Sequence, residues 1–228
     1  MRPIEKGSHP KDDSNQDVLF QKYQQAHPEL ISRLGEFCSY CEMRLEAGLA
    51  VEHVQPKTLY PQLALHWDNF LLACPHCNPT KGHKDVQLAD YVWPDLDDTH
   101  MIFAYLEDGR VKAVDSPYHA RATNLINLVG LNKNPTPSES NDRRLHNRRL
   151  NFELAKRYRD SFASRPTDDL HVDLLVTAAQ KSGYWSIWYT VFRDYPEIIR
   201  RFNESFPGTS PHCFETDTYQ AKSRHNRP

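Results

Sequence analysis

Residues 51–57 read VEHVQPK, and a cysteine pair stands on either side of them, CSYC at 38–41 and CPHC at 74–77. The heptapeptide follows the apolar run Leu49 to Val51, so a strand is expected over 49–54. Taken alone, Glu52 and His53 are an ordinary charged pair at a strand end. The cysteines around them decide how the stretch is read. The N-terminus, MRPIEKGSHPKDD, has no apolar signal-peptide core, and in a reducing compartment two CxxC knuckles read as zinc ligands rather than disulfides. Four thiolates, from Cys38, Cys41, Cys74 and Cys77, close a tetrahedral structural Zn²⁺ site with no open position. The gap between Cys41 and Cys74 is longer than a plain zinc ribbon allows. An insertion therefore lies between the knuckles, starting near VEHVQPK and ending with HWDNFLLA.

Working outward, Phe70 to Ala73 is a second short strand leading into the second knuckle, and a short helix follows Asn78 with Pro79 at its first position. Gly82 weakens that helix. Upstream, residues 17–34 have a helical pattern that Pro28 interrupts, so two short helices or a kink are expected there, ending at Gly35 as a C-cap. Downstream, MIFAYLEDGRVKAV at 101–114 reads as a β-hairpin about Asp108-Gly109. Helices follow at 121–129, 142–162, 169–181 and 185–206, with a loop carrying Pro135 and Pro137. The last residues, 207–228, are polar and read as a loose tail. The expected fold class is α+β. It divides into an N-terminal arm with helices over 1–36, a zinc-stapled core over 37–90, and a hairpin plus helical region over 91–228.

The chain is 39% hydrophobic and 25% charged, the balance of a soluble globular protein. No apolar run reaches the roughly 20 residues of a membrane span, so a cytoplasmic protein without membrane contact is expected. The net charge of −2 means that any nucleic-acid surface must be local. Neither GxxxxGK[ST] nor GxGxxG occurs, which argues against a glycine-rich phosphate cradle.

In order along the chain come Cys38, Cys41, Glu52, His53, Asn69, Cys74, Cys77, Asn78 and Lys81. This series, over roughly residues 37–84, resembles the HNH nucleases of the zinc-knuckle type. In that family an acid-His pair ends a strand, an Asn precedes a second strand, and a His or Asn lies on the following helix. The resemblance implies a ββα-metal core, with His53 and Asn69 as catalytic residues and Asn69 fixing the loop that carries the His. A narrower likeness runs through MRPIEKG, FCSYCE, VEHVQPK, the EDGR hairpin and NLVGLN. These are similar to the nuclease subunits of retron- and Septu-type anti-phage systems. That likeness implies an ATPase partner, and in the retron case a reverse transcriptase with its non-coding nucleic acid.

The chemistry suits such residues. Phosphodiester hydrolysis needs an activated water and a cation near the scissile phosphate. A neutral histidine accepts a proton near neutral pH. Mg²⁺ or Mn²⁺ takes oxygen ligands, which Glu52 and Asn78 supply as a carboxylate and an amide carbonyl. Lys57 and Lys81 are candidate phosphate contacts. DNA is the favoured substrate, and RNA, such as tRNA, is the alternative. A zinc-stapled binding module with an inactive centre is the competing reading. Asn78 before Pro79 also suits a helix N-cap, and Asn69 suits a plain turn.

Residues 143–159 are rich in Arg and Lys, with Arg144 and Arg148 on one helical face. They are candidates for tracking phosphates, against the alternative of a solvated helix face. The aromatic cluster from Tyr184 to Tyr195 is read as core between helices rather than a stacking platform. Cys213 is read as a small buried hydrophobe.

Overall fold

Strand β1 (Ala50–His53) pairs antiparallel with β2 (Phe70–Ala73), Glu52 opposite Leu71 and His53 opposite Phe70. The computed structural model that places them describes residues 1–136, 138–164 and 168–224. Pro137 of the expected proline loop and residues 225–228 of the expected tail lie outside these. The run FLLA is buried at every position, as an unbroken apolar strand should be.

Helix α1 (His27–Leu34) follows a 3-10 turn at Tyr23–Ala26 and packs Leu30 and Leu34 inward. Pro28 lies in its first turn, where the missing N–H breaks no hydrogen bond, so of the two short helices or the kink expected there the chain forms a 3-10 turn and then a helix that Pro28 opens. Helix α2 (Cys77–Lys81) begins on the last cysteine of the second knuckle. Asn78 is therefore inside the helix and Pro79 is its third residue, which removes the N-cap reading of Asn78.

After α2 come α3 (Thr99–Ile102) and the hairpin of β3 (Phe103–Tyr105) with β4 (Val111–Ala113). Gly109 turns this hairpin at φ 87°, and a Cβ there would fall 2.2 Å from Leu145 O. Glycine is needed both for the backbone conformation and for the close approach to the next long helix. The remaining helices are α4 (His119–Leu128), α5 (Arg144–Ala163), α6 (Asp169–Ser182), α7 (Trp185–Phe192) and α8 (Pro196–Ser205). The single helix expected over 185–206 is two, because Pro196 disfavours helical backbone before it and starts a new helix itself. Trp185, Trp188 and Phe192 are fully buried, and Trp188 meets Phe202 edge-on at 6.0 Å, so this cluster is core.

Two expectations are corrected. Arg144 and Arg148 are each only 1% exposed and cannot track phosphates on the surface. Arg148 Nε donates to Gly109 O at 2.6 Å, and its Nη2 donates to Leu131 O. The tail is packed as far as it is described. Thr209 bridges Ile4, Ser210 N donates to Pro3 O at 2.9 Å, and Cys213 and Phe214 are buried.

The elements meet at Glu42, next to Cys41 in the first knuckle. Its buried carboxylate accepts from Arg2 N at 2.8 Å, Tyr105 Oη at 2.9 Å, and Ser186 N and Oγ at 2.7 Å each. One acid thus ties the N-terminal arm, the hairpin and α7 to the knuckle.

Candidate active site

The four knuckle thiols are buried, and their Sγ atoms all lie within 4.8 Å of one another. Cys41 Sγ and Cys74 Sγ are 3.6 Å apart, well beyond the S–S bond of about 2.05 Å. With Zn–S near 2.3 Å, a tetrahedral site has sulfurs about 3.8 Å apart, so the dimensions fit Zn²⁺. Arg144 Nη1 donates to Cys77 Sγ at 2.9 Å, and the same guanidinium donates to Val129 O, Gly130 O and Asp142. The arginine expected on a phosphate surface is instead the buried charge beside the thiolates.

His53 ends β1 with its side chain largely buried. Its Nε2 lies 3.0 Å from Ala64 O. A carbonyl only accepts, so Nε2 carries the proton and Nδ1 keeps the lone pair. Burial pushes the His53 pKa below its ordinary value. The ammonium groups of Lys57 and Lys81 act in the same direction, and the bond to Ala64 opposes them. The ring is held edge-on by Phe70 at 5.2 Å and by Tyr23 at 4.8 Å.

Asn69 closes the loop that follows His53. Its Oδ1 accepts from Gln55 N at 2.8 Å, and its Nδ2 donates to Gln55 O at 2.9 Å and Leu63 O at 3.3 Å. Its backbone O accepts from Val54 N at 2.9 Å. An amide, with its acceptor and its donor on separate atoms, meets both the N–H and the C=O of Gln55, which a carboxylate, an acceptor only, cannot do.

Glu52 is 4% exposed. Burial raises the pKa of its carboxyl group, and the charge of Lys81 opposes that. Lys81 Nζ stands 2.9 Å from Glu52 Oε1, yet that oxygen has no aligned hydrogen bond among the described residues. Lys81, put forward by its spacing as a phosphate contact, is 1% exposed and donates to His53 O at 2.7 Å. It is an internal tie between α2 and the end of β1. Lys57 is exposed, with its Nζ 3.9 Å from the Tyr23 ring centroid. Asn78 is half-buried in α2; His66 and His83 are exposed, and His76 is half-buried.

Residues 38–84 match the family model described as HNH endonuclease. This segment is an HNH endonuclease domain. Its four cysteines make it one of the zinc-knuckle type. The chain is also 40% identical, over 63 residues, to the Septu protein PtuB of Bacillus thuringiensis. That match takes in 26% of this chain and 24% of the relative, so the chain spans about a quarter of the relative's length.

Three contributors to the HNH domain's surroundings were hidden in the sequence. Tyr23 lies upstream of the domain and reads only as one aromatic position in the helical pattern over 17–34. Glu42 closes the FCSYCE stretch, and nothing in its spacing announces the buried carboxylate it forms. Arg144 sits in a basic run whose composition suggests exposure; only its i, i+4 relation to Arg148 hinted at a shared face. No described helix is long and apolar enough to cross a membrane.

Proposed function

We propose that the protein is a metal-dependent endonuclease that hydrolyses nucleic-acid phosphodiester bonds, with DNA as the substrate. The observation that carries this reading is the state of His53, a largely buried imidazole with Nε2–H committed to Ala64 O, which leaves the lone pair on Nδ1. His53 takes the proton of the attacking water at Nδ1. Asn69 holds the loop that ends in Ala64 and thereby the ring.

Glu52 and Asn78 would hold the catalytic Mg²⁺ or Mn²⁺. Glu52 Oε1 already stands 2.9 Å from the Lys81 ammonium, so a cation held there would share the carboxylate with that group. The ion, when bound, offsets the charge that develops on the phosphate and the leaving oxygen. The zinc takes no part in the chemistry, since four thiolates leave it no open position. Lys57, on the surface near His53, is a phosphate contact.

The likeness to a Septu protein supports a role as an anti-phage effector working with an ATPase partner. The relative is a Septu protein, and the proposed assembly contains no reverse transcriptase.

The test is to incubate the full chain with DNA and with total RNA in Mg²⁺ or Mn²⁺, with and without the product of the neighbouring gene. Wild type is compared with His53→Ala. Cleavage of DNA by wild type alone supports the reading. Cleavage confined to RNA moves the substrate, and equal cleavage by both proteins removes His53 as the base.

A further inference from the structure

Tyr23 lies outside the HNH domain, on the 3-10 turn ahead of α1. Its ring nevertheless reaches His53, with centroids 4.8 Å apart and planes at 68°. Phe70, from β2, meets the same imidazole at 5.2 Å and 86°. The phenol also carries the Lys57 ammonium, 3.9 Å from its centroid. One side chain thus touches both the proposed base and the proposed phosphate contact.

We propose that Tyr23 is a positioning residue of the nuclease site. It holds the His53 ring by a contact from outside the HNH domain and keeps Lys57 beside it, so that the N-terminal segment completes the site. The inference rests on the reading of His53 as the base.

Three observations support it. First, a histidine's terminal torsion has broad, shallow minima, so one hydrogen bond from Nε2 leaves the ring free to swing about that bond. The HNH domain supplies Ala64 O and Phe70, and Tyr23 supplies a further wall. Second, the contact uses the aromatic ring and not the hydroxyl, which makes no hydrogen bond among the described residues. Third, an ammonium over a phenol face is held by the ring's quadrupole, so losing the ring releases Lys57 as well.

The test compares Tyr23→Leu, Tyr23→Phe and His53→Ala in the full chain, measuring kcat and KM on DNA and thermal unfolding. It also records the ring signals of His53 by NMR without nucleic acid. Tyr23→Leu should lower kcat by about 10²-fold, the usual consequence of a reacting group misplaced by about 1 Å. Its KM should change less, and unfolding should stay cooperative. Tyr23→Phe, which keeps the ring, should recover most of kcat. The His53 ring protons should lose a ring-current shift in Tyr23→Leu and keep it in Tyr23→Phe. A wild-type kcat for Tyr23→Leu, a Phe variant as damaged as the Leu variant, or unchanged His53 signals overturns the assignment. If His53→Ala is inactive while Tyr23→Leu is normal, only the role of Tyr23 fails. If His53→Ala cleaves normally, the base fails and this role fails with it.

Discussion

The Lys81 ammonium and the Glu52 carboxylate form an ion pair at 2.9 Å with side chains only 1% and 4% exposed. Removing one partner of such a pair leaves an uncompensated charge in the interior, which costs about 3 kcal/mol or more. Lys81→Met should therefore destabilise the protein by about that much in the absence of divalent cations. Replacing both partners, in Glu52→Gln with Lys81→Met, should recover much of the loss. Urea unfolding of the two single variants and the double variant measures the coupling. Additive losses would mean that the two groups are not paired.

His53 is the second case, and there the sign of the pKa shift decides the outcome. A base works in its neutral form, and burial lowers the His53 pKa below its usual value near 6.5. Activity should stay level as pH falls through 6.5 and decline only at lower pH. The kcat/KM profile reads this directly, and a decline centred above 6.5 contradicts it. His53→Ala should lower kcat by about 10²- to 10⁴-fold with zinc content and fold intact.

The central ββα unit was legible because each part has a local cause. The knuckles, the apolar FLLA run and the Asp108-Gly109 turn announce themselves within a few residues, and the strands and hairpin lie where expected. What was not legible depends on partners distant in sequence. Arg144 is buried because Cys77 and the 129–130 carbonyls wait for it, and nothing in a run of arginines says so. Lys81 keeps the spacing of a phosphate contact while its charge is used by Glu52. The tail looked loose from its polarity, yet Cys213 and Phe214 anchor it. Tyr23 reaches His53 only because α1 packs on β2 and brings the preceding turn with it.

His100 gives an acid-stability prediction. It is buried against Phe214 at 5.2 Å, and neither ring nitrogen has an aligned hydrogen bond among the described residues. Burial pushes its pKa down to about 4, against the opposing charge of Asp98. An unfolded histidine titrates near 6.5, so between those values the unfolded chain binds a proton that the folded chain does not. The stability is whole above pH 6.5 and is lost as pH falls towards 4, by up to about 3 kcal/mol from this residue. His100→Phe should flatten that part of the pH–stability curve. An unchanged curve would place the acid sensitivity elsewhere.

The zinc knuckles give the last prediction. A tetrathiolate site holds the two strands, α2 and the first knuckle together, and such sites supply folding free energy outright. Cys74→Ser should lose zinc and solubility together, and a soluble, folded, zinc-free variant would show that the site is not a staple. Arg144→Lys is a gentler probe. It keeps the positive charge but loses the planar fork that spans Cys77 Sγ, Val129 O, Gly130 O and Asp142. Groups that support metal ligands from outside typically change metal affinity by about 10- to 100-fold when removed. Zinc should therefore leave Arg144→Lys faster than wild type when a chelator is added, while the protein remains folded at the start of the assay. Equal release rates would reduce Arg144 to a packing residue.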